Sequence, residues 1–293
     1  MRWLVALSLA LSPANMPAAA QLSQNIDFSD SSEAVTLVHD GAKLSLRPFH
    51  DPELDDLIDI QVTIDIPDVP SLTINEGGAT SKYFRRWIGI GKLAPSDAAP
   101  SVVIGGYTGG AHCCATLRVV TPVGDNLRLV EFEVIDGSGM EIFPTDIDGD
   151  GRVDFLRQDD RFRYQFSSGA GSLSPPVIFN VIDGNLVNVS KDLRFRSVWT
   201  QFAAEARAVC ADMSQADRNG ACAAYVAARA RLGSFGPAMR EAELLAAKGK
   251  HLDLPTACRV PTVDGNCPAR MERKFLTFGE ALRWFLKNTG YAG

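Results

Sequence analysis

Histidine is scarce, with four in 293 residues, and Gly-x-Ser-x-Gly, His-Glu-x-x-His and Walker-type strings are all missing. The usual nucleophile–base pairs, zinc-hydrolase helices and phosphate-cradling loops are therefore excluded. The one stretch with dinucleotide-fingerprint letters, Gly89-Ile-Gly91-Lys-Leu-Ala94, runs straight into Pro95, so no helix follows to hold a phosphate and a strand bend is expected. No apolar run beyond the N-terminus approaches the roughly 20 residues that a bilayer crossing requires. No cysteine pair has the CxxC spacing of a thioredoxin site or zinc ribbon. Positive charge is also short, at 29 Lys+Arg against 35 Asp+Glu and a net charge of -6, which argues against general nucleic-acid binding. With 46% hydrophobic and 22% charged residues, the chain is ordinary globular protein.

Residues 1–20 hold a single charge, Arg2, then the apolar run Trp3 to Leu11 and the small residues Ala18-Ala19-Ala20. This is the pattern of a cleaved secretory signal peptide, and it predicts a periplasmic or secreted protein with no transmembrane segment after cleavage. Export permits disulfides. Of the six cysteines, Cys210 with Cys222 and Cys258 with Cys267 are the economical pairs.

Charge then divides the mature chain. Residues 21–195 carry 14 Lys+Arg against 26 Asp+Glu, whereas 196–293 carry 14 against 9. The first part has short β-branched and aromatic runs separated by Asp, Gly, Pro and Asn turn signals. It predicts a mainly β domain, antiparallel and either propeller-like or a sandwich. In Ile60-Gln-Val-Thr-Ile-Asp-Ile66 apolar and polar residues alternate, as a half-buried strand requires. The second part is alanine-rich and predicts a small α-helical module stapled by disulfides, its last helix opened by a capping box at Thr277-Phe-Gly-Glu280.

The sharpest motif runs from Asp146 through Asp148, Asp150, Gly151 and Arg152 to Asp154. Carboxylates at positions 1, 3, 5 and 9, a turn glycine at 6 and the Arg152 backbone carbonyl at 7 suit a hard, flexible-coordination cation such as calcium. Position 12, where an EF-hand supplies a bidentate Glu, is Arg157, and strand-like residues flank the loop. The string Asp-x-Asp-Gly-Asp-Gly-x-x-Asp followed by an apolar strand resembles the FG-GAP or VCBS-type repeat of integrin α-subunits and of exported bacterial proteins. That resemblance covers about 15 residues and implies a structural calcium between two strands.

A second unusual stretch, Tyr107-Thr-Gly-Gly-Ala-His112-Cys113-Cys114, offers one imidazole and two adjacent thiols. They could ligate a soft transition metal or close into a strained, reducible ring. Two functions follow as expectations. One is a calcium-stabilised binding or interaction protein of the cell envelope, with an envelope protein or polysaccharide as partner and no enzymatic activity. The alternative is a redox or transition-metal-dependent enzyme that uses His112, Cys113 and Cys114.

Overall fold

The computed structural model describes residues 22–24, 34–50, 58–76, 85–107, 113–136, 143–247, 254–260 and 267–292. The signal-peptide reading of residues 1–20 lies outside them. After the short strand β1 (Leu22–Gln24), the chain builds an antiparallel meander of β2 (Val35–His39), β3 (Ala42–His50), β4 (Ile58–Asp65) and β5 (Leu72–Glu76), paired in that order. The hairpin between β2 and β3 turns on Asp40-Gly41, both at positive φ (48° and 82°). This is the geometry that matches the right-handed strand twist and that Asp-Gly favours.

A second sheet follows, from β6 (Arg85–Gly91), β7 (Ser101–Tyr107), β8 (Cys113–Val123), β9 (Asn126–Glu131) and β10 (Ile135–Asp136). Its order is β1-β6-β7-β8-β10, with β9 also paired to β8. A third, three-stranded sheet comprises β11 (Phe155–Gln158), β12 (Pro176–Ile182) and β13 (Asn185–Asn188), all antiparallel. Helices α1 (Arg196–Ala211), α2 (Asn219–Arg231), α3 (Phe235–Leu245) and α4 (Phe278–Asn288) complete the chain, with the two-residue strands β14 (Ala257–Cys258) and β15 (Glu272–Arg273) between the last two. The protein is thus a mainly antiparallel β structure with a C-terminal helical region. None of its described helices is long and apolar enough to cross a membrane.

Period-2 alternation stacks these elements as layers. Leu44, Leu46, Val62 and Ile64 of the meander bury one face against Ile88, Ile90, Val102, Ile104 and Val120 of the second sheet. Residues of opposite parity on that second sheet, Val103, Leu117 and Val119, pack instead on Phe155 and Val181 of the third sheet. The far face of the third sheet, through Ile178 and Leu156, meets the helices. Each sheet in the middle is therefore apolar on both sides, whereas the outer face of the meander is polar. There Thr63 pairs with Thr73 at 3.1 Å and Gln61 donates to Asn75 at 3.4 Å.

Helix α2 is buried all round. Ala221, Cys222, Ala223, Ala224, Val226, Ala227 and Ala228 are all fully inaccessible, and their small side chains let the neighbouring helices and loops approach. The Cys210–Cys222 disulfide clips α2 to α1, and a second disulfide joins Cys258 to Cys267. Thr277 caps α4 by accepting the Glu280 N–H at 3.2 Å. Glu280 in return accepts from Leu276, one residue before the cap. The 195/196 boundary read from composition marks the change from strands to helices, but the apolar core crosses it, since Phe162, Phe166 and Ile178 belong to the helical cluster.

One glycine is dictated by packing. A Cβ on Gly105 would sit 2.2 Å from the indole of Trp87 on the paired strand. Gly105→Ala is expected to force that ring out of place and cost about 1–3 kcal/mol, as overpacking of a fitted core does. A urea titration of the disulfide-intact protein measures it.

Candidate functional site

The acidic loop closes where Thr145 and Asp154 form an antiparallel bridge, the Asp154 N–H reaching the Thr145 carbonyl at 2.9 Å. Inside that bridge the side chains fold the backbone. Asp146 accepts from Gly149 (2.8 Å) and Gly151 (2.9 Å), Asp148 from Asp150 (3.0 Å), and Asp150 from Arg152 (2.8 Å). Gly149 and Gly151 hold φ of 80° and 86°, the left-handed region that a side chain would disfavour. The loop is anchored from outside as well: Val153 donates to the Leu93 carbonyl at 2.8 Å, and Asn180 on β12 donates to Asp154 at 2.7 Å.

These restraints bring oxygens of Asp146, Asp148 and Asp154 within 4.8 Å of one another. At that separation each ionised pair repels by about 3 kcal/mol for an effective dielectric near 20. Burial, the largest cause in both cases, pushes the carboxyls of Asp148 and Asp154 above the usual carboxylate range. The Asp148 side chain is only 1% exposed, and its Oδ2 accepts no hydrogen bond. A buried carboxylate oxygen that makes no hydrogen bond, on a residue clustered with two other carboxylates, fits an oxygen-coordinated divalent cation.

Of the five residues that the motif nominates, Asp146, Asp148 and Asp154 converge. Asp150 turns outward to Arg194, whose Nη1 lies 2.5 Å from its Oδ2. Arg152 contributes its N–H to Asp150 and lines a neighbouring groove. Arg157, at the twelfth position, lies on β11, and its Nη2 approaches the Ala115 carbonyl at 3.4 Å, away from the loop. Two residues that the motif does not contain complete the site. Asn180 supports Asp154. Arg194 bridges Asp150, Asp148 (3.3 Å) and Asp192 (2.8 Å), and its hydrogen bonds, to Asp192 first and then to Asp150, hold its guanidinium well above its ordinary pKa.

The second candidate segment is described only in part. His112 and the Cys113 side chain lie outside the described residues; Cys114, half-buried at the start of β8, is disulfide-bonded, and no described cysteine is free.

Beside the acidic loop a groove of about 1040 Å³ opens between turn tips of all three sheets. Asp40 comes from the β2–β3 turn, Asp125 from β8–β9 and Asp183 from β12–β13, with Asp68, Asp97, Lys92 and Arg152 on its walls. Asp97 fixes the wall nearest the loop by accepting from Leu93 and Ala94 at 3.0 and 2.9 Å.

Stacked antiparallel sheets, a carboxylate cage and a disulfide-clipped helical end define the class of molecule. Residues 199–290 match the family model described as sll0997 C-terminal domain. The chain is 30% identical over 197 residues to the "Probable thylakoid lumen protein sll0997" of Synechocystis, covering 66% of this chain and 56% of that protein. It is 31% identical over 199 residues to "Uncharacterized protein y4bJ" of Sinorhizobium fredii, covering 67% of this chain and 31% of that one. The chain therefore spans between about a third and just over half of these relatives. No solved structure matches.

Proposed function

We propose that the protein is an exported binding protein of the cell envelope whose layered β structure is pinned by one calcium ion in a single FG-GAP/VCBS-type loop. The observation that carries the calcium reading is the convergence of the Asp146, Asp148 and Asp154 carboxylates, within which the buried Asp148 Oδ2 makes no hydrogen bond. Asp146, Asp148 and Asp154 would hold the ion, with Asp150 and the Arg152 carbonyl as the further oxygen donors of the motif. When bound, calcium supplies charge neutralisation and crosslinks the loop. Because the loop is tied to Leu93 and to Asn180, it would brace the second sheet against the third.

Export is supported by the leader pattern, by the disulfides and by the name of the Synechocystis relative, a probable thylakoid lumen protein. Binding is supported by the acidic groove next to the loop, where an envelope protein or polysaccharide is the proposed partner. Thermal melts in 10 mM calcium and in EDTA test the metal. For a dissociation constant near 1 mM, typical of extracellular modules, loading should add about 1.4 kcal/mol and raise Tm by about 3–5 °C. Equal melting temperatures would remove the calcium from this reading.

A further inference from the structure

The carboxylates nominated for calcium already face a positive charge supplied by the chain itself. Arg194 lies 44 residues beyond Asp150, in the 3₁₀ turn Leu193–Phe195 that leads into α1. Its Nη1 is 2.5 Å from Asp150 Oδ2 and 3.3 Å from Asp148 Oδ2. The contact with Asp148 is an ion pair without a hydrogen bond, since that oxygen accepts none. Calcium needs six to eight oxygens at 2.3–2.6 Å. An ion among Asp146, Asp148 and Asp154 would claim Asp148 Oδ2 and draw Asp150 inward, and a guanidinium fixed on both oxygens would be repelled.

Arg194 also has a second anchor that does not involve the loop. Its Nη2 and its backbone N–H both bond to Asp192, at 2.8 and 3.0 Å, so it can leave the cage without losing every partner. The next residue, Phe195, is 1% exposed in the helical core, and α1 starts immediately after it.

We propose that Arg194 is a tethered competitor for calcium, which lowers the affinity of the loop and whose release on metal entry loosens the turn joining the third sheet to α1. This inference rests on the calcium reading and adds regulation to it. It explains why Asp150 points outward to a side chain from the helical region: without metal, that side chain offsets the carboxylate repulsion.

The test is calorimetric titration of the full disulfide-bonded protein with calcium, for wild type, Arg194→Gln and the control Lys191→Gln. Lys191 is a neighbouring exposed charge outside the carboxylate cluster. Arg194→Gln should bind about fivefold more tightly or better, the lower end of ordinary site coupling, while Lys191→Gln stays near wild type. Hydrogen exchange of wild type should show amides 193–196 exchanging faster when calcium is added. Binding of equal or lower affinity in Arg194→Gln, or equal tightening in Lys191→Gln, overturns the competitor role and leaves the calcium reading intact. Calcium-independent exchange at 193–196 overturns the loosening of the turn. Absence of calcium binding to all three proteins overturns both readings together.

Discussion

Asp154→Ala is expected to abolish the calcium binding proposed for the loop and to destabilise the protein even in EDTA. The reason lies in the double duty of that carboxylate. One oxygen faces Asp146 and Asp148 in the cage, and the two oxygens accept the Ile147 N–H at 2.8 Å and the Asn180 amide at 2.7 Å. The residue is 1% exposed, so water cannot replace a lost acceptor without entering the loop. Asn180 keeps the Val153 carbonyl at 3.1 Å, so the donor left unsatisfied is the Ile147 N–H, which places the loss at about 1–3 kcal/mol in the absence of metal. Asp154→Asn keeps the shape but turns an NH₂ toward a donor, so it should fall between alanine and wild type. Asp150→Asn offers the contrast. It removes a solvent-screened pairing with Arg194, of the kind that contributes little to stability, and should leave stability in EDTA nearly unchanged. Urea titrations in EDTA, paired with calcium calorimetry, separate the three. Equal stability for Asp154→Ala and Asp150→Asn would show that the loop does not brace the sheets.

What could be read from the sequence follows the range of the interactions involved. Strand β4 is legible because Ile60, Val62, Ile64 and Ile66 are all buried while the residues between them face outward. Strand β13 is not, because Asn185-Leu-Val-Asn188 has only two apolar residues and gains its identity from register with β12 across the Asp183-Gly184 turn. Strand β5 was hidden for a similar reason: Leu72-Thr-Ile-Asn-Glu76 follows Pro70 and is held by pairing with β4. The acidic loop is visible as a local spacing, since each of the bonds from its backbone N–H groups to its own carboxylates spans at most seven residues. Asn180 and Arg194 carry no local signal. They reach their partners from 26 and 44 residues away, through the placement of β12 and of the turn before α1. The layering was hidden too, because composition reports which residues are apolar and not which face of a middle sheet each one meets.

The same long-range packing yields the other large expected effect. Phe162 is 1% exposed in the short turn after β11, and it meets Phe285 of α4 edge-on at 4.8 Å and Tyr291 at 5.4 Å. Tyr291 in turn donates to Asp159 at 2.9 Å, and burial pushes its phenol above the ordinary range. Phe162→Ala should therefore cost about 3–5 kcal/mol, although it changes no residue of the helices. If the helices and the third sheet share one core, the loss must appear equally in both. Trp87 reports on the second sheet and Trp199, buried in the helical cluster, on α1. Single-tryptophan versions should show coincident urea transitions that shift together in Phe162→Ala. A shift confined to Trp199 would mean that the helices melt as a separate unit. Coincident transitions would mean that residues 199–290, the span matched by the family model, rely on Phe162, Phe166 and Ile178 for part of their core. A fragment cut at residue 196 should then lose the packing that orders α4.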